Sequence, residues 1–222
     1  MPLRILSLIL LCEYGLCAGT AFSDDESPQA DVNGQQPGAT TAVQWVPMIV
    51  VTPNAQVMAG QKAGPKLPPG PIVYVSTQQE EWYLVPRWNS WIHRSHVRAL
   101  SAALEEFNTQ IKTRPTGELH HFRGIVHSEL GQIPESLIDF NAAIRAGLNT
   151  SNVFLNRGLA YGRAGDREQA LADFTTAIQR DRKNPQAYFN RAVLYQHGGQ
   201  QAAALKDFAE AIKLEPAYAE AY

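Results

Sequence analysis

Cysteine is nearly missing from this chain: Cys12 and Cys17 are the only two in 222 residues. Both fall in the apolar segment at the start, so a chain processed behind that segment has none. That excludes a disulfide framework, a thiolate nucleophile and Cys-ligated zinc from the remainder, which must be held together by core packing alone. An excess of one charge is missing too. Lys and Arg number 19 against 21 Asp and Glu, a formal net charge of −2. A nucleic-acid protein normally carries a basic excess or stripe, and an acidic solvating tail needs a run of the opposite sign. Neither appears, so nucleic acid is not an expected partner. Long apolar runs are also absent. ILSLILL at 5–11 is far too short to cross a bilayer as a helix, and no other segment qualifies, so no stable membrane span is expected. The length leaves room for one or two domains.

What is present begins with an export signal. Arg4 supplies a positive n-region, residues 5–11 an apolar h-region, and the small residues of CAGTA a cleavage site near Ala21. This assigns residues 1–21 to a signal peptide and sends the chain to the periplasm, the cell envelope or the outside. Leucine precedes each cysteine where a lipoprotein signal requires a small residue, so no lipid anchor is expected. Residues 22–45 read as linker. SDDESPQADVNGQQPGATT has almost no large apolar side chain, and such a stretch cannot bury enough surface to offset its ordering entropy.

Residues 46–99 change character. VPMIVVT at 46–52, PIVYVS at 71–76, EWYLV at 81–85 and SWIHRSHV at 90–97 are short, β-branched and aromatic. PNAQVMAGQKAGPKLPPG and PRWN, rich in Gly, Pro and Asn, read as the connections between them. In PIVYVS, Ile72 and Tyr74 face one side and Val73 and Val75 the other. About fifty residues make a small core, so support from a neighbour is expected. LPPG-PIVYVS, then EEWYLV, then SWIHRSHV resemble the bacterial SH3-like domain, which implies a small β-barrel. Trp82, Trp88 and Trp91 then read as barrel core, with Trp88, in a turn, the one alternative ligand contact.

After Ala99 the period becomes helical. Leu104, Phe107 and Ile111 fall three and four apart on one face, and Pro115 ends the helix. From Gly117 onward slots recur every thirty-four residues. Gly124, Gly158 and Ala192 align; so do Phe140, Phe174 and Phe208; Ala143, Ala177 and Ala211; Gly131, Gly165 and Gly199; and Arg123, Arg157 and Arg191. Tyr161 and Tyr195 align with His127. The period and these slots resemble the tetratricopeptide repeat, a helix–turn–helix unit that buries its apolar face only by stacking on its neighbours. The resemblance divides the chain into repeats at 117–150, 151–184 and 185–218, with 219–222 opening an incomplete fourth. Small residues at 124, 158 and 192 let paired helices approach. The turn glycines supply a C-cap with positive φ. Asp166 with Gln169, and Asn184 before Pro185, mark helix starts. Residues 100–116 mimic a second helix, offset by one residue: an N-terminal cap that joins the β domain firmly to the repeats. AYAEAY begins another first helix and stops, which favours a fragment of a longer protein. The fold class is α+β multidomain, a small SH3-like β-barrel followed by an all-α solenoid.

Catalytic chemistry finds no support in the sequence, and no cofactor or metal is expected. His93, His96, His120, His121 and His127 lack metal-ligand spacing and an acidic partner. His127, in a tyrosine slot, reads as packing. YGRAGD at 161–166 is a repeat turn, not a phosphate loop. The resemblance implies a concave face lined by first helices that binds an extended peptide or a helix. Its candidates are His121, Phe122 and Ile125, then Leu155, Asn156, Leu159 and Arg163, then Phe189, Asn190, Val193 and His197. For the apolar positions, packing between helices is an equal alternative. Asn156 and Asn190 carry amides that donate to and accept from a peptide backbone. The paired Asn and Lys of a two-carboxylate clamp are absent, so an acidic C-terminal tail is not the expected ligand. Three functions stand open: an exported interaction scaffold, favoured here; a cell-wall ligand module built on the SH3-like domain; and the N-terminal part of a larger protein whose effector portion lies elsewhere.

Overall fold

A computed structural model describes residues 46–51, 55–59, 62–67, 70–75, 77–79, 81–85 and 90–216. The signal peptide at 1–21, the linker at 22–45, Trp88 and the fourth-repeat start at 219–222 lie outside the described residues.

Eight short strands form the N-terminal unit among the described residues: β1 Val46–Val50, β2 Ala55–Ala59, β3 Lys62–Leu67, β4 Ile72–Val75, β5 Thr77–Gln79, β6 Trp82–Val85, β7 Ser90–His93 and β8 Val97–Ala99. They make two antiparallel sheets, ordered β4-β1-β8 and β3-β2-β7-β6-β5. Two runs change sheets at a break. β4 and β5 divide around residue 76, and β7 and β8 around a 3-10 turn at Arg94–His96. Strands that switch sheets make the corners of small β structures. Val50, Val57, Val73, Val85, Ile92 and Val97 are buried together between the sheets.

Two readings are corrected here. The Gly- and Pro-rich segment 53–70 is not only connection, because it holds the β2–β3 hairpin. Pro65 lies in β3, an edge strand, beside a register irregularity, two settings in which strands tolerate proline. A register shift between Gln56 and Met58 breaks the alternation that would have marked β2. SWIHRSHV is two strands rather than one, and the halves pair in different sheets.

Seven α-helices follow among the described residues: α1 Leu100–Thr113, α2 Gly117–Glu129, α3 Ile133–Arg145, α4 Ser151–Ala164, α5 Arg167–Arg180, α6 Pro185–His197 and α7 Gln201–Leu214. α2 to α7 form three hairpins, each stacked on the next. Within a hairpin the approach is close. A Cβ on Gly124 would lie 2.8 Å from the Phe140 ring, and one on Gly158 2.7 Å from Phe174. The turn glycines Gly131, Gly165 and Gly199 take φ of +76°, +83° and +72°. Asp166 accepts from the Gln169 N–H, and Asn184 from those of Gln186 and Ala187.

A ladder of arginines ties the layers together. Arg123, Arg157 and Arg191 each donate two bonds to one carboxylate on the partner helix, Asp139, Asp173 and Asp207, at 2.6–2.9 Å. The third nitrogen reaches back to the preceding layer, to Asn108, Asn141 and Thr175. Asn141 and Thr175 are a full repeat apart. Asn108, on α1, precedes Asn141 by one residue fewer. α1 therefore stands where a second helix would stand, displaced by one residue in sequence. Its Leu100, Ala103 and Phe107 are buried with Ile49 of β1 and Val126 of α2.

Candidate functional site: the inner face of the first helices

The first helices α2, α4 and α6 present equivalent stripes: Phe122, Ile125 and Glu129; Asn156, Leu159 and Arg163; Asn190, Val193 and His197. Spacings of three and four put each set on one helix face.

On α2 the stripe is covered by the chain itself. β4 has two faces. Val73 and Val75 point into the β core, while Ile72 packs, as Phe122 does, against both α-helical clusters. Gly70, just before β4, is so close that a Cβ there would lie 2.9 Å from the Phe122 ring and 3.8 Å from Ile125 Cδ1. The Tyr74 hydroxyl donates to Glu129 Oε2 at 3.4 Å. Gly70 and Tyr74 thus meet the two ends of the stripe, Phe122 and Glu129, with Ile72 between them against the helical clusters. Burial raises the pKa of Glu129, against the opposing effects of Arg163 and the Tyr74 bond.

Several candidate residues belong to the core instead of a free surface. His121, Ile125, Leu155 and Leu159 are buried, and Phe122 lies under Gly70 and beside Phe107. Ile125, Leu155 and Leu159 pack between helices. Asn190 is also buried: its amide donates to Gln186 O at 2.8 Å, and its oxygen has no hydrogen-bond partner among the described residues. Half-buried Asn156, Arg163, Phe189 and Val193, with exposed His197, remain on the inner face. Asn156 donates to His121 Nε2 at 3.0 Å. Arg163 Nη1 donates to Ser128 O at 2.6 Å and to Ser128 Oγ at 2.8 Å, and lies 3.9 Å from Glu129. Sequence reasoning missed Tyr74, Ser128 and Glu129. The one signal available was the change from Glu129 to Arg163 to His197 in a single repeat slot.

Two of those histidines, His120 and His127, do have an acidic partner, contrary to the sequence reading. Asp139 lies 3.0 Å from His120 Nδ1 and 3.7 Å from His127 Nε2. His127 also meets Gln132 Oε1 at 2.6 Å, so its role is polar as well as packing. No metal-capable group of three His, Cys, Asp or Glu occurs among the described residues. Also among them, no helix is long and apolar enough to cross a membrane.

Stacked helical hairpins with an inner face of first helices define a helical-repeat scaffold. Tetratricopeptide repeat family models match residues 151–184 and 174–206, which span α4, α5 and α6 and reach into α7. Among solved structures, a crystal structure of MamA protein shares 18% identity, with 55% of this chain and 67% of that chain covered, at a TM-score of 0.50. MamA from residue 41 to its end, from Desulfovibrio magneticus RS-1, shares 19%, covering 53% and 67%, also at 0.50. Both likenesses are of fold. Comparison with curated proteins gives no significant match.

Proposed function

We propose that this protein is a non-catalytic interaction scaffold, exported to the cell envelope, that binds a peptide or protein on the inner face of its repeats. One observation carries the reading. An extended strand of the chain already lies along the first stripe, while the equivalent stripes of α4 and α6 keep half-buried and exposed side chains. Tetratricopeptide repeats as a family serve as interaction modules. Export rests on the leader composition at 1–21.

A second reading draws on the β unit, taken as an SH3-like domain on its strand sequences. A cleft of about 590 Å³ opens between its sheets, lined by Met48, Tyr83, His93, Arg94 and Arg98 among others. It suits a wall peptide or glycan.

One experiment separates the two. A photo-crosslinking residue is placed in turn at Val193, at Tyr83, and at Ile138, which is 64% exposed. Each full chain is then irradiated in envelope extract. A discrete adduct from Val193 alone is the expected result. An adduct from Tyr83 alone favours the wall reading, and equal capture from Ile138 removes the inner-face site.

A further inference from the structure

The molecule contains its own template for how an extended segment lies on a first helix. A strand places alternate residues on one face. Gly70, Ile72 and Tyr74 use that face to follow the α2 stripe, with Tyr74 ending on Glu129. One repeat later the stripe is Asn156, Leu159 and Arg163. Leu159 keeps the apolar middle that Ile125 provides. Asn156 replaces Phe122 with an amide that retains a second N–H and an oxygen beyond its bond to His121. The end position reverses its charge, from Glu129 to Arg163.

Arg163 is prepared for an anion. Its bonds to Ser128 engage Nη1 and hold the guanidinium in place. The Nε–Nη2 edge, the fork that matches a carboxylate in two bonds, has no partner among the described residues. Glu129 competes only at 3.9 Å, and Tyr74 holds its other oxygen. The local field is consistent with this. α4 and α6 contain no Asp or Glu, and their other arginines, Arg157 and Arg191, are already paired with Asp173 and Asp207.

We propose that Asn156 and Arg163 on α4, either side of the buried Leu159, seat an extended peptide whose acidic side chain lies on Arg163, in the place that the Tyr74 hydroxyl takes on Glu129. This deepens the inner-face reading and rests on it. The occupant is an internal acidic side chain, not a chain terminus, so the probe peptides carry a C-terminal amide.

The test titrates the full chain, followed by NMR, with amidated peptides of residues 68–77: one with Tyr74→Asp, one with Tyr74→Asn and one with Tyr74→Lys. The Asp peptide is expected to bind about tenfold more tightly than the Asn peptide, with shifts centred on α4. Arg163→Gln should erase that difference. Arg163→Glu should transfer the preference to the Lys peptide, a gain that misfolding cannot produce. Equal binding of the Asp and Asn peptides by the wild type overturns the proposal and leaves the inner-face reading standing. Binding of none overturns it as well, and the Val193 crosslink then decides the broader reading by itself.

Discussion

An imidazole is buried at His121, stacked near Phe122 and Phe140, with Nε2 accepting from Asn156. Burial lowers its pKa from 6.5 to about 4. The sign follows from linkage. The unfolded chain takes up this proton near pH 6.5, whereas the folded chain resists until about pH 4, so the unfolded state binds more protons in between. Stability from this residue is complete above pH 6.5 and is lost as pH falls towards 4. At about 1.4 kcal/mol per unit of pKa difference, the loss between pH 7.5 and 4.5 is about 2–3 kcal/mol. Urea denaturation of wild type beside His121→Gln at both pH values isolates this term, because other groups titrate in both proteins. The wild type's advantage should shrink by that amount on acidification. A difference that stays constant with pH would show that His121 is not held neutral. Sequence spacing placed this residue on a first helix, yet not its burial. The Phe140 ring and the Asn156 amide come from two other helices.

At the scale of the element, helix–turn–helix hairpins were legible because their slots repeat. Gly158 against Phe174 and the turn at Gly165 follow from residue size and from the need for positive φ. The arginine ladder was half legible. The aligned arginines were visible, but pairing each to a carboxylate on the opposite helix needs the hairpin geometry. β2 and β3 were hidden by the register shift and by Pro65, features that an edge hairpin tolerates. The ladder carries its own prediction. Asp173 is buried, and Asp173→Ala leaves the Arg157 charge largely buried without its counterion. Such one-sided removals cost about 3–5 kcal/mol. Replacing both as Arg157→Met with Asp173→Leu should recover much of that loss, since an apolar pair leaves no orphaned charge. A denaturation cycle over Arg157→Met, Asp173→Leu and the double variant checks this. Additive losses would mean that the pair does not act as a unit.

For the whole molecule, the sequence indicated that the small β unit needs a neighbour and that α1 caps the repeats. It also divided β4 into two faces. It held no sign that the Ile72 and Tyr74 face lies on α2, because a strand's period of two and a helix's of 3.6 leave no joint pattern across some fifty residues. At that seam the two parts pack against one another. Ile49, Ile72, Leu100, Phe107, Phe122 and Val126 close it with apolar surface, and the Tyr74–Glu129 bond marks its inner edge. Ile72 is the residue to break. It packs with the helical clusters and not with the β core, so Ile72→Asp places a charge in the seam while leaving the sheets' own packing intact. In 15N relaxation the wild type should show one rotational correlation time for 46–99 and for the repeats. Ile72→Asp should show two, the shorter belonging to the β unit. If the wild type itself showed two, the seam would not hold in solution. The first stripe would then be as open to ligand as the second and third, and the inner face would be three repeats long instead of two.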